Sequence, residues 1–243
     1  MELMALGVGD AFTARYYSTC AAVRSYGKTL LIDCPHPIRR AMADAGGTLD
    51  VGDLDAVIIT HNHADHVSGV EPMLFFAHFV LGRKLPVLAH PEVLADLWTH
   101  HLQAGMQELL ASDGSRHRLT FEDVAVPMAR DEAAATEACG FSIEVRRTIH
   151  HIPTFALRLS DGQASLGWSA DTAYDPELIA WLAEADRFVH ETNYGVHTPY
   201  EKLAALPVSL RQKMWLVHYP DGFDVESSVI EPLRQGQTYA IRP

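Results

Sequence analysis

The chain has 243 residues, 48% of them hydrophobic, enough to bury the core of one domain or of two close-packed halves, which excludes a disordered polymer. Its 31 acidic against 19 basic residues give a formal charge of −12, which opposes long-range attraction of a polyanion and disfavours large nucleic acid as a partner. The cysteines Cys20, Cys34 and Cys139 form no Cys-x-x-Cys pair, so neither a disulfide framework nor a thiolate zinc site is indicated, and the reducing cytoplasm is the expected location. The N-terminal "MELMALGVGDAF" has no basic segment leading a long apolar run, and no stretch of about eighteen apolar residues occurs, so neither secretion nor membrane insertion is expected.

In chain order, Glu2 to Gly7, Ala21 to Tyr26 and Lys28 to Asp33 read as strands, with Gly27 supplying a turn, and Ala56 to Thr60 as another. The apolar "VEPMLFFAHFVLG" has helical length, "PVLAH" is strand-like, and "PEVLADLWTHHLQAGMQELL" reads as one helix with Pro91 in its first turn. Ser112 to Cys139 has the weakest pattern; its "ARDEAAATEA" reads as a surface helix or a mobile loop, a candidate lid or interface. Strands resume at Phe141 to Arg147, Thr154 to Leu159 and Ala164 to Ser169, followed by a helix from Pro176 to about Ala183. Arg187 to His190 and Met214 to His218 are short strands ending in histidine. The alternation predicts a single α/β domain over 1–243 built from two βα halves.

The densest chemistry is "THNHADHVSG", directly after the apolar "AVII". On extended backbone, His61 and His63 point the same way and can reach one ion. Once the chain turns, Asp65 and His66 can address a second position, and a pair of ions about 3.5–4 Å apart uses four such neighbours better than one ion does. Further ligand types stand at strand ends downstream: His150 before "IPTF", Asp171 in "SADT" and His218 after "MWLV". Imidazole and carboxylate without thiolate suit zinc first, manganese or iron second.

The motif His-x-His-x-Asp-His, met by His61, His63, Asp65 and His66, resembles the signature of the metallo-β-lactamase superfamily, and the likeness extends over nearly the whole chain. The resemblance implies a four-layer αββα sandwich with metals at one edge. It assigns His61, His63 and His150 to one metal, Asp65, His66 and His218 to the other, and Asp171 to both, with His150 favoured over His151. It makes Asp33 the buried aspartate that holds the histidine loop through backbone hydrogen bonds. Two such cations lower the pKa of water held between them toward about 7; Asp65 acts either as a ligand or in orienting that water.

Within the superfamily, "FVHETN" and "HHIPTFALRL" are similar to segments of tRNA 3′-processing ribonucleases and small phosphodiesterases, yet no Gly-rich basic arm that would clamp tRNA is present. Where those ribonucleases carry a proton donor, this chain has "GVHTPYEKL", which makes His197 the candidate general acid; the bland alternative is that His197 caps the helix starting near Pro199. The stretch "HTPYEKLAALP…KMWLVHY" also resembles metallophosphodiesterases of cyclic nucleotides, including phage enzymes that degrade cyclic pyrimidine signals.

The expected function is hydrolysis of a small, cyclic or linear, nucleotide-like phosphodiester by two metals. The alternative is a hydrolase of a carbonyl substrate such as a lactone, thioester or β-lactam; no cysteine at a ligand position lowers the β-lactam version. An iron electron carrier of this fold has Glu where this chain has His63, and a catalytically idle partner-binding module does not need the full ligand set. His190 with Glu191 reads either as a pair orienting a ligand or as solvent-facing, while His78, His90, His100, His101 and His117 read as surface or packing residues. Pocket loops are expected around Phe12 to Thr19, Ser112 to Cys139 and Val196 to Lys202, with Tyr16, Tyr17, Tyr194 and Tyr219 stacking a base or lining a core edge. "MLFFAHFVL" is most simply a core helix and alternatively a homodimer face.

Overall fold

The computed structural model describes residues 1–47 and 49–242. The first half lays down β1 (Glu2–Gly7), β2 (Cys20–Ser25), β3 (Lys28–Ile32), α1 (Ile38–Asp44), β4 (Ala56–Ile59), α2 (Ala64–Val67), α3 (Val70–Phe75), β5 (Leu85–Ala89), α4 (Pro91–Asp96), α5 (Gln103–Met106), β6 (Glu108–Leu110), β7 (Arg116–Arg118), α6 (Phe121–Val124) and β8 (Ala125–Ala129). The second half follows with β9 (Thr136–Ala138), β10 (Phe141–Arg147), β11 (Phe155–Ser160), β12 (Ser165–Trp168), α7 (Pro176–Leu182), β13 (Arg187–Glu191), α8 (Tyr200–Ala204), α9 (Val208–Arg211), β14 (Met214–Val217), β15 (Glu231–Pro232) and β16 (Thr238–Ala240).

Two seven-stranded sheets result, ordered β16-β1-β2-β3-β4-β5-β8 and β15-β14-β13-β12-β11-β10-β9. Strand β3 onward is parallel in the first sheet, and β12 to β15 are parallel in the second. The period of two sorts β14 cleanly: Trp215 and Val217 face the core between the sheets, Met214 and Leu216 the core under α7 and α8. Phe188 and Val189 of β13 divide the same way. Helix, sheet, sheet and helix therefore stack as the expected four layers. Parallel strands deliver their C-terminal ends to one edge, where open α/β sheets bind ligands.

Two local readings are corrected, and a third segment is helical as expected. The helix expected over "PEVLADLWTHHLQAGMQELL" stops at Met106, and Glu108–Leu110 instead pairs with Arg116–Arg118 around Asp113-Gly114, a turn signal that outweighs helical periodicity. In "ARDEAAATEA" there is no helix: Thr136–Ala138 pairs antiparallel with β10, and that pairing overrides the alanine propensity. Ser112–Cys139 thus crosses from the edge of one sheet to the edge of the other. In "MLFFAHFVL", Met73, Leu74 and Ala77 are buried while Phe79 and Val80 are exposed, and the backbone passes from α-helix to π-helix at Phe76.

Candidate metal centre

The segment after β4 is fixed by its neighbour rather than by its own propensity. Asp33, fully buried at the end of β3, accepts bonds from the Thr60 amide (2.8 Å) and hydroxyl (2.9 Å) and from His66 Nδ1 (2.8 Å). The Cys34 amide donates to the His66 carbonyl at 2.7 Å and the Gly69 amide to the Cys34 carbonyl at 2.8 Å. Only glycine allows that approach, since a Cβ at position 69 would lie 2.6 Å from the Pro35 carbonyl oxygen. Asp33, Ala170 and His218 all have positive φ (58°, 52° and 59°), so three strand ends are held in the strained left-handed region at this edge.

The outcome is two clusters that share one carboxylate. His61, His63, His150 and Asp171 form the first, and Asp65, His66, Asp171 and His218 the second, the donor atoms of each within 4.8 Å of one another. His63 Nδ1 lies 3.1 Å from both His61 Nε2 and His150 Nε2, and these two lie 3.6 and 3.7 Å from Asp171 Oδ2. In the second cluster, His66 Nε2 is 3.3 Å from Asp65 Oδ2 and 3.4 Å from Asp171 Oδ1, and His218 Nε2 is 3.5 Å from Asp171 Oδ2. Ligands 2.0–2.1 Å from a tetrahedral zinc stand about 3.3–3.4 Å apart, so the spacing fits a cation in each cluster. His66 Nε2 is buried and has no hydrogen-bond partner of its own, as expected of an atom meant for a metal. His151 stands outside both clusters.

Hydrogen bonds set the imidazole tautomers. The Thr60 hydroxyl sits on both Asp33 oxygens and so accepts from His61 Nδ1 at 3.0 Å. The Thr19 hydroxyl donates to the Gly9 carbonyl (2.9 Å) and accepts from His218 Nδ1 (3.1 Å), and His66 donates to Asp33. Each of these three rings thereby turns the Nε2 lone pair toward the centre. Burial holds His61 well below the usual imidazole range, lowers His63 and His218, and pushes His150 down to about 4, so these rings are neutral and able to ligate. Burial also disfavours charge on Asp171, but His218, His66 and His61 outweigh it and hold its carboxyl well below the ordinary value. Thr60 adjoins the histidine motif and was within reach of sequence reasoning; Thr19, 199 residues from His218, carries no local signal.

His197 faces both clusters, its ring 5.3 Å from the rings of His150 and His218. Its Nδ1 bonds Glu191 Oε1 at 2.9 Å, and the same oxygen accepts from the Thr172 amide at 2.8 Å. Burial pushes the Glu191 carboxyl up to about 7. It would also depress His197, but the bond to Glu191 and the charges of Glu191, Asp171 and Asp65 prevail and raise that imidazole. The capping alternative for His197 is overturned: the helix residue ahead of α8 is Pro199, and no side chain caps it. His190 and Glu191 are both buried rather than solvent-facing, and Glu191 holds His197, not a clustered imidazole. His90 caps α4 and stacks on Phe155 at 3.8 Å, and His100 and His101 are exposed. Of the tyrosines, Tyr219 is core with Tyr16 edge-on against it, Tyr17 bonds Asp44, and Tyr194 is exposed.

Comparison with known proteins places this edge in context. The chain is 20% identical to the metallo-β-lactamase fold protein YhfI from Bacillus subtilis, with a TM-score of 0.79 over 98% of each chain. It is 17% identical to the short form of human tRNase Z, with a TM-score of 0.73 over the full length of both. These likenesses establish the fold. Closer in sequence are proteins described as Anti-Pycsar protein Apyc1: that of Paenibacillus sp. (strain J14) is 33% identical over 256 aligned positions, 99% of each chain, and that of Bacillus phage 010DV004 is 28% identical over 99% of this chain and 98% of its own. The family model for Anti-Pycsar protein Apyc1 matches residues 1–239, and the chain belongs to that family.

Proposed function

We propose that this metal-dependent hydrolase cleaves a small cyclic nucleotide, opening its phosphodiester with a metal pair held by His61, His63, Asp65, His66, His150, Asp171 and His218. Bound there, two divalent cations, zinc by donor type, supply a nucleophilic hydroxide at neutral pH and offset charge on the phosphoryl oxygens. Asp171 lies between the two clusters and keeps them at a fixed separation. Asp65, the one member of its cluster that is not fully buried, orients the attacking water as well as ligating. His197, held by Glu191, protonates the leaving sugar oxygen.

The observation that carries this reading is the raised, buried-carboxylate-bound His197 facing both clusters. An alkoxide leaving group needs a proton where it departs. Against the cost of burial, Asp171 and Asp33 raise His66 as well in the absence of metal. Residues that ligate a cation do so as neutral imidazoles and ionised carboxylates, with none to give, which leaves the raised His197. Membership of the Apyc1 family and the formal charge of −12 support a small substrate over a polynucleotide. The three free cysteines support a cytoplasmic setting, no described helix is long and apolar enough to cross a membrane, and the exposed Phe79 and Val80 are the face a second copy of the chain would cover.

The test is hydrolysis of bis(p-nitrophenyl) phosphate beside a lactone and a β-lactam, with zinc and manganese restored separately to chelated protein, followed by 3′,5′-cyclic nucleotides. Turnover of the phosphodiesters alone is expected. Turnover confined to a carbonyl substrate overturns the assignment in favour of the lactone, thioester or β-lactam class.

A further inference from the structure

A cavity of about 380 Å³ opens between two segments that leave the metal centre: residues 192–195, directly after Glu191, and residues 220–223, directly after His218. Its apolar walls are Tyr194, Tyr200, Pro220 and Phe223. Tyr200 and Phe223 meet edge to face at 5.2 Å, and Phe223 packs on Tyr219 at the same distance. Tyr194, on the wall nearest His197 in sequence, is 75% exposed. The size is that of a small-molecule site.

Asn193, Tyr200 and Ser228 of the lining are already engaged, and the lining also includes the Glu201 and Asp224 carboxylates. Asn193 donates to Asp10 Oδ2 (3.0 Å) and accepts from the Tyr194 amide (2.8 Å). The Tyr200 hydroxyl accepts from the Val229 amide (2.8 Å), and Ser228 donates to the Ile230 carbonyl (2.6 Å). Beside those carboxylates, a ligand meets largely aromatic surface, the kind on which bases stack.

We infer that this cavity holds the nucleobase of the substrate, an assignment that rests on the phosphodiesterase reading above. In a nucleotide the base and the departing oxygen belong to the same sugar. A leaving oxygen protonated by His197 therefore places the sugar, and the base beyond it, on the His197 side of the phosphorus. The wall of the cavity on that side is the loop that carries His197, closed by the Asn193 amide bonding the Thr198 carbonyl at 3.1 Å.

The experiment uses metal-loaded protein and compares 3′,5′-cyclic CMP and cyclic AMP with 1-deoxyribose 3,5-cyclic phosphate, which has no base. Wild type is expected to show a lower KM for the nucleotides than for the baseless diester. Tyr194→Ala removes one wall, and Gly222→Leu narrows the cavity from a position whose Cβ would meet nothing within 4 Å. Each is expected to shrink that KM advantage about fivefold or more, and Tyr194→Phe to retain it. An undiminished advantage in both Tyr194→Ala and Gly222→Leu overturns the cavity assignment and leaves the phosphodiesterase standing. No hydrolysis of any of the three diesters by wild type overturns the phosphodiesterase, and the cavity assignment falls with it.

Discussion

His197 Nδ1 lies 2.9 Å from Oε1 of Glu191, a carboxylate 1% exposed at the end of β13. Burial and the charge of Asp171 oppose ionising this carboxyl, whereas the imidazole and the Thr172 amide favour it. The pair thus holds a proton between imidazole and carboxyl, where a leaving group can take it through the imidazole. His197→Ala is expected to leave bound metal unchanged and to lower kcat by roughly 10²–10⁴ for a cyclic nucleotide, whose alkoxide leaves poorly. For bis(p-nitrophenyl) phosphate, whose leaving group needs no proton, the loss is expected to be under about tenfold. Equal losses on both substrates defeat the general-acid role.

Removing a cluster member has the opposite signature. His61 Nε2 is within 3.1 Å of His63 Nδ1 and 3.6 Å of Asp171 Oδ2, so His61→Ala leaves the first cluster three donors and a gap. Metal content measured by plasma mass spectrometry is expected to fall together with activity on every substrate. Normal occupancy in this variant would remove His61 from the site.

Asp33 contacts no donor atom of the centre itself; it holds His61 through the Thr60 hydroxyl and bonds His66 directly, and there its carboxylate decides which nitrogen carries hydrogen. Asp33→Asn keeps the side-chain shape and tolerates the φ of 58°, while its amide can donate toward Nδ1 and leave the hydrogen on Nε2. Affinity at the second cluster is expected to drop about 10–100-fold, read as loss of about one of two metals on dialysis against a mild chelator. Retention of both metals shows that His66 keeps its tautomer without the carboxylate.

What the chain discloses in advance divides along one physical line. "AVII" followed by His61, His63, Asp65 and His66 is legible because the strand period and the ligands sit in one short window. His150, Asp171 and His218 are legible as ligand types at strand ends, but their convergence depends on which strand ends the two sheets bring together. The tautomer-setting Thr19 is long-range by nature, 199 residues from His218, and acquires its role only from what packs on it. Glu191 is six residues from His197, but which imidazole it holds depends on how the loop between them closes. The misjudged segments, Glu108–Leu110 and Thr136–Ala138, are three-residue strands whose state is set by a partner strand rather than by their own pattern.

His190 gives a pH dependence independent of the metal clusters. It is fully buried, its Nε2 has no partner, and burial pushes its imidazole down to about 4. The unfolded chain takes up a proton near pH 6.5, before the folded one does, so this contribution to stability is complete above pH 6.5 and is lost as pH falls toward 4. The loss amounts to roughly 3 kcal/mol by pH 4. His190→Leu forgoes the bond from Nδ1 to the Glu191 carbonyl (2.7 Å), about 1 kcal/mol at pH 7.5, but has no such proton to lose. Denaturant unfolding at pH 7.5 and pH 5 is expected to show the variant weaker at the first and level or stronger at the second. A constant gap between the two proteins would mean that His190 is protonated in the folded state.

Salt separates the small-substrate reading from a polynucleotide one. A long nucleic acid bound through many phosphates releases counterions, so its affinity falls by about 10³–10⁵ between 50 and 200 mM salt for six to ten contacts. This chain carries 31 acidic and 19 basic residues, and the donor atoms of both clusters belong to imidazoles and carboxylates. A cyclic nucleotide carries a single phosphate, which on the proposed reading is met chiefly by the metals. kcat/KM for a cyclic nucleotide is therefore expected to change by less than about threefold over that salt range. A steep, linear fall of log kcat/KM with log salt would point instead to an extended anionic substrate tracked along a surface outside the centre.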